Sequence, residues 1–229
     1  MPLRSPEVKP TLLDRPRSAS TPHPLDWPSL AAAFEAACLL RCVNAPTTIR
    51  HRRGAPVVRP PESVEFNRED AAQRMRHLLD RFDVSVSHER AVGGLRRRYE
   101  LHRLTVSPAQ PGYAAMLYTG WRRGRGELLG GPMPGASGLR RMRRAQLAAA
   151  AWRAALLAGG RHIRRHILGV RLTDRELAAV LVRSAALLDV PAILRPGTGC
   201  YLVSVAQGPG SERIMQATEL GATPPGVIG

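Results

Sequence analysis

Apolar positions along this chain recur at helical and strand spacings, and the same succession of spacings is met twice. Leu30, Ala33, Phe34, Ala37 and Leu40 fall on one face of a helix over residues 29–42, with Ser29 as its N-cap. Val64 and Phe66 alternate with polar neighbours as a strand over 63–67 would. Asn67 then caps a helix that runs to Phe82, with Ala71, Met75, Leu78, Leu79 and Phe82 as its stripe. Residues 84–89 and 95–104 are extended, joined by a turn at Gly93-Gly94. The stretch 107–138, rich in Gly, Pro and Arg, is read mainly as a linker in which only 113–118 is helical.

A long helix over 139–158 follows, ending in the stretch AWRAALLAGG. Its alanines admit a close neighbouring helix, and Gly159-Gly160 is expected to end it in left-handed geometry. A strand at 169–172 leads to a capping box, Thr173 with Glu176, and a helix to Leu188. Two extended runs, 191–195 and 200–205, flank a turn at 196–199, and Ser211 starts a short helix that Gly221 stops.

Offsetting the chain by 106 residues aligns Val64 with Val170, Phe66 with Leu172, Asn67 with Thr173, Met75 with Leu181 and Phe82 with Leu188. Asp83-Val84 meets Asp189-Val190, and after a shorter second turn Tyr99 is matched to Tyr201. The expected organisation is a disordered proline-rich arm over 1–28, a first half over 29–130 including the linker 107–138, and a second half over 139–229. Each half reads helix, two strands, helix, two strands, helix.

Charge changes the picture next. Lys+Arg number 34 against 18 Asp+Glu, a formal net charge of +16, and Lys9 is the one lysine. The arginines bunch at Arg50/Arg52/Arg53, Arg96–Arg98, Arg122/Arg123/Arg125, Arg140/Arg141/Arg143/Arg144 and Arg161/Arg164/Arg165. Such bunching is the electrostatic footprint of nucleic-acid binding; a solvated basic surface or an acidic protein partner is the alternative. Cys38, Cys42 and Cys200 make no disulfide framework, and no signal peptide or bilayer-length apolar run is seen, so a cytoplasmic protein is expected. Cys38 and Cys42 lie four apart on a helix without a second ligand pair, which favours buried apolar roles over zinc.

The motif residues Arg153, Ala155, Leu157, Ala158, Gly159 and Gly160, approached by Arg143-Arg144-Ala145, carry a family resemblance. So do Ala36-Ala37 and Leu39-Leu40-Arg41 in the first half, the run Arg98-Tyr99-Glu100-Leu101, and Glu219-Leu220-Gly221-Ala222. Over 29–222 the chain resembles the LAGLIDADG homing-endonuclease fold, and within it the WhiA family of bacterial sporulation and cell-division regulators. The resemblance implies an α+β fold of duplicated αββαββα halves with pseudo-two-fold symmetry, whose two small antiparallel or mixed sheets form a concave saddle. Ala155, Leu157, Ala158, Gly159 and Gly160 would pack the paired motif helices. It also implies a DNA-binding transcriptional regulator, cytoplasmic and nucleoid-associated, with duplex DNA as its partner and no membrane. Ala154 stands where the family has a glycine, Asn44-Ala45-Pro46 where the first motif expects one, and the sequence stops at Gly229, without the family's helix-turn-helix.

Nucleases of this fold hold a divalent metal with an acid at the end of each motif helix. No Asp or Glu lies between Glu127 and Asp174, or within 41–53. The expectation is a nuclease fold without nuclease chemistry, with no catalytic residue, no metal and no cofactor. His162 and His166 are read as part of the basic surface. DNA contacts are expected from Arg50, Arg52, Arg53, Arg96, Arg97, Arg98, Arg103, Arg161, Arg164 and Arg165. The rivals are a module docking on RNA polymerase or a sigma factor, and a metal-dependent endonuclease using other acids.

Overall fold

The computed structural model describes residues 25–43, 63–93, 99–107, 110, 112–131, 137–164 and 166–220, with the side chains of 161–164 excepted. The first half contains α1 (Trp27–Val43), β1 (Ser63–Phe66), α2 (Glu69–Asp80), β2 (Val86–Gly93), β3 (Tyr99–Val106) and α3 (Gly112–Leu129). The second contains α4 (Gly138–Ala158), β4 (Gly160–Arg164), β5 (Ile167–Leu172), α5 (Arg175–Leu187), β6 (Ala192–Gly197), β7 (Cys200–Ala206) and α6 (Pro209–Ala217). The second half is the expected αββαββα unit. In the first half, the residues that would match β4 lie outside those described.

Both sheets are antiparallel, in the orders β1-β3-β2 and β4-β5-β7-β6. The order β1-β3-β2 therefore corresponds to β5-β7-β6. Val64 opposite Leu104 answers to Val170 opposite Val203, and Phe66 opposite His102 answers to Leu172 opposite Tyr201. Tyr201 thus takes the place of His102, not of Tyr99 as the sequence suggested, because the second hairpin turn is shorter than one matched on tyrosine implies.

The repeat extends to backbone conformation. Asp83 (φ 55°) and Asp189 (φ 57°) are both left-handed residues just beyond their helices. Val84 N–H donates to Leu79 O, and Val190 N–H to Ala185 O, closing the same C-terminal motif at 3.1 and 2.9 Å. The helix starts also agree at an offset of 106, but one residue beyond the caps read from sequence. Arg68 precedes α2 without a side-chain cap, and Asp174, not Thr173, caps α5 through bonds from Glu176 N–H and Leu177 N–H. At α1 the helix begins at Trp27, inside the supposed arm, because Asp26 Oδ1 accepts from Ser29 N–H.

Helices α1 and α4 lie side by side with their starts at one end: Trp27 Nε1 donates to Gln146 Oε1, and Cys42 Sγ lies 3.8 Å from Ala154 O. Helix α1 is buried all round, Ala33, Phe34, Ala36, Cys38 and Leu39 being inaccessible. Its one-sided stripe was too narrow a reading, since helices cover its remaining faces. Helix α2 packs beneath the first sheet and α5 beneath the second.

The supposed linker 107–138 is corrected by α3, which covers 18 of its residues. Its glycines are contact points: a Cβ on Gly120 would lie 2.7 Å from the Ala33 backbone, and one on Gly124 would strike the Phe34 ring. Trp121, next to Gly120, stacks on Phe34 with ring centroids 5.9 Å apart. Gly159 is corrected too. It is extended (φ −74°, ψ 161°), and its lack of a side chain is required by space, because a Cβ would meet Ala155 O at 2.5 Å and Val170 Cγ1 at 2.6 Å. At the other end of the second half, α6 starts two residues before Ser211, whose hydroxyl donates to Gly208 O at 2.9 Å. It stops at Ala217 and is followed by Glu219 in left-handed conformation (φ 55°), while Gly221, read as its stop, lies outside the described residues.

Candidate nucleic-acid interface

Strand alternation divides each sheet into a face against the helices and a face away from them. In the second sheet Leu168, Val170, Leu172, Val203 and Val205 are buried on the inner face. Arg171, Leu202 and Arg195 form one row across β5, β7 and β6 on the outer face, with both arginines exposed. Neither guanidinium has a hydrogen bond or ion pair among the described residues.

In the first sheet Val64, Phe66, Leu104 and Val106 are buried inward. The outer row that corresponds to Arg171–Leu202–Arg195 is Glu65–Arg103–Glu89. Arg103 donates to Glu65 Oε1 from Nη2 at 2.6 Å and from Nε at 3.0 Å, and this bonding raises the Arg103 pKa. The charges of the two rows are inverted: acids stand in one sheet where arginines stand in the other.

Of the arginines expected to contact DNA, Arg103 is described in full, and it is paired with Glu65. Arg161 and Arg164 stand in β4 opposite Val170 and Ile167 in the ladder. Arg50, Arg52, Arg53, Arg96, Arg97, Arg98 and Arg165 lie outside the described residues. Arg171 and Arg195 were missed, because each is an isolated cation outside the arginine bunches. The signal available was alternation at Arg171, a polar position between the buried Val170 and Leu172.

The bunches on α3 and α4 do structural work. Arg144 Nη2 donates to Leu128 O and Gly130 O, closing the end of α3. Arg125 Nη2 lies 3.2 Å from Glu176 Oε1, Arg123 Nη1 donates to Leu25 O, and the Arg143 guanidinium lies 5.1 Å from the Trp27 ring centroid.

Between the halves lies a polar network that the sequence reading also missed. Glu35 on α1 is 3% exposed and accepts from Arg74 on α2 and Arg153 on α4. Arg153 also donates to Thr218 O at 2.8 Å. The signal was a lone carboxylate in an alanine-rich helix, which needs a cation once buried. Near the end of α1, Arg41 bonds to Asp174, and its guanidinium lies 3.9 Å from the Trp121 ring centroid. Arg68 donates to Leu156 O near the end of α4, so each half closes on the other's motif helix.

The five motif positions divide by burial. Ala155 is inaccessible and Leu157 is 4% exposed, while Ala158 is partly buried against the core. Gly159 packs on β5, and Gly160 begins β4. Ala154, where the family resemblance called for glycine, is fully buried. Among the described residues no group of three or more His, Cys, Asp or Glu is placed to hold a metal ion. Cys38 is inaccessible, and burial raises the pKa of both Cys38 and Cys42. No helix among the described residues is long and apolar enough to cross a membrane.

No protein-family model matches the chain, and no curated protein matches it. Solved structures do. Full-length DUF199/WhiA from Thermatoga maritima aligns with a TM-score of 0.51 at 15% identity, over 83% of this chain and 55% of that one, so this chain spans about half the length of that protein. The N-terminal LAGLIDADG domain of DUF199/WhiA aligns with a TM-score of 0.51 at 14% identity, over 86% of this chain and 91% of that domain. A structure of mesophilic variants from the homing endonuclease I-DmoI aligns at 0.50 and 14% identity, covering 83% and 97%. The chain is an α+β protein with the duplicated LAGLIDADG fold.

Proposed function

We propose that this chain binds duplex DNA across the outer faces of its two sheets and does not cut it. The observation that carries this reading is the exposed Arg171 and Arg195 on an outer sheet face, in a chain of net charge +16 with the fold of a homing endonuclease. Cations so placed attract phosphate by charge and counterion release, giving salt-dependent affinity with little sequence preference.

Absence of cleavage is proposed from the motif-helix ends. Hydrolysis of a phosphodiester by divalent metals needs oxygen ligands at the scissile bond. Helix α4 ends at Ala158, and the surroundings of its C-cap Gly159 leave no room even for a methyl group. Asp174, the acid bonded to Arg41 near the end of α1, already accepts from Glu176 N–H and Leu177 N–H as well. Its lone pairs serve the fold rather than a metal. The finer reading is a WhiA-like transcriptional regulator of sporulation or cell division, nucleoid-associated in the cytoplasm.

A second reading, docking on RNA polymerase or a sigma factor, is favoured by Leu139 and Met142, each 52% exposed among the arginines of α4. The test is a salt-series titration on random duplex DNA with magnesium present, followed by electrophoresis of the DNA. Binding with a steep salt slope and intact DNA supports the proposal. Cleavage overturns its silent half, and negligible affinity moves the function to protein docking.

A further inference from the structure

The two outer rows are related by the internal repeat yet opposite in charge. Glu65 corresponds to Arg171, Arg103 to Leu202, and Glu89 to Arg195. Strand spacing sets Arg171 and Arg195 about 10 Å apart at the backbone, a separation at which each fork has room to engage a phosphate of its own. In the first sheet the central cation stands between two carboxylates, and its fork is already engaged by Glu65. A phosphate approaching that row displaces an existing ion pair and meets the field of both acids.

We infer that duplex DNA is gripped unequally: the Arg171–Arg195 row of the second sheet is a phosphate-binding patch, and the Glu65–Arg103–Glu89 row of the first is held off the backbone by its own acids. The inference rests on the proposed DNA binding and adds which half carries it. The pseudo-two-fold scaffold thus presents one attractive and one net-acidic central row, so the footprint centres on the half-site under the second sheet. Glu65 and Glu89 act by opposing phosphate contact at Arg103.

The experiment is a salt-series titration of the full chain and its variants on random duplex DNA, with thermal melting to confirm that each variant is folded. Arg171→Ala with Arg195→Ala is expected to weaken binding on all sequences alike and to reduce the salt slope by about two. Arg171→Lys with Arg195→Lys is expected to restore most of the slope, since a point charge suffices for a phosphate. Arg103→Ala is expected to leave the slope unchanged. Glu65→Gln with Glu89→Gln is expected to release Arg103 and steepen the slope by about one.

Equal losses from Arg103→Ala and from the Arg171/Arg195 pair, or an unchanged slope in the latter, overturn the inference while leaving DNA binding intact. Failure of the unaltered chain to bind duplex overturns the proposed function and this inference with it.

Discussion

Glu35 on α1 and Arg153 on α4 meet at 2.8 Å, joining the two halves by a carboxylate and a guanidinium that are only 3% and 14% exposed at their side chains. Arg74 engages both oxygens of the same carboxylate, with Nε at 2.6 Å and Nη2 at 2.8 Å. The bonding to Glu35 raises the Arg74 pKa. Removing the acid leaves two cations facing one another without their shared counter-charge. Glu35→Ala is expected to destabilise the fold by about 3 kcal/mol, read as a lowered urea midpoint with unchanged slope.

Close helix packing reverses the usual sign of a glycine substitution. In an open helix Gly→Ala stabilises by about 1 kcal/mol. Gly126→Ala should behave in that way, since a Cβ there meets nothing within 4 Å. Gly120→Ala drives a methyl group into the Ala33 backbone and is expected to cost about 2 kcal/mol. Paired denaturation curves check both signs; equal shifts would refute the close approach of α3 to α1.

Asp83 and Asp189 hold the same left-handed conformation, which is strained for a residue with a Cβ, at helix ends where a carboxylate also opposes the dipole. Replacing either by glycine is expected to stabilise the protein by about 1 kcal/mol, and the two gains should add because the sites belong to different halves. Thermal melting of the single and double variants measures this.

Burial raises the pKa of the Cys38 and Cys42 thiols, desolvation being the main cause, so both stay protonated at neutral pH. Cys200 is a half-buried thiol at the start of β7. A thiol reagent at pH 8 should therefore modify Cys200 ahead of Cys42 and leave Cys38 untouched in the folded protein, and modify all three cysteines in urea. Rapid folded-state labelling of Cys42 would contradict its packing against Ala154.

Replacing Arg96–Arg98 together by Ala is expected to weaken DNA binding similarly for every sequence and to flatten its salt dependence. Titration at several salt concentrations checks it, and an unchanged slope removes these arginines from the interface.

The period of apolar positions was sufficient to place eleven of the thirteen elements, all but α3 and β4, within about four residues, and the 106-residue offset recovered the duplication of β1-α2 and β5-α5. Local signals determine such features because they depend on which face of a helix or strand is apolar. The expected caps Asn67 and Thr173 failed because several polar residues cluster at each helix start, and only the geometry selects the one whose side chain or backbone is used. Helix α3 failed for the opposite reason. Its glycines lower helix propensity, and the favourable contact they permit with Ala33 and Phe34 belongs to a distant part of the chain.

By itself the sequence determined the amphipathic elements, their duplicated order, the excess of positive charge and the lack of acids at 41–53 and 128–173. Those are properties of residue type and spacing, and folding does not alter them. The tertiary structure decided which charges are available. It placed Arg103 against Glu65, Arg144 over the end of α3, and Arg74 and Arg153 on Glu35, while leaving Arg171 and Arg195 on an outer face. The reason is register: whether an arginine meets a carboxylate or solvent depends on the strand or helix brought beside it, and that neighbour is set by contacts remote in sequence.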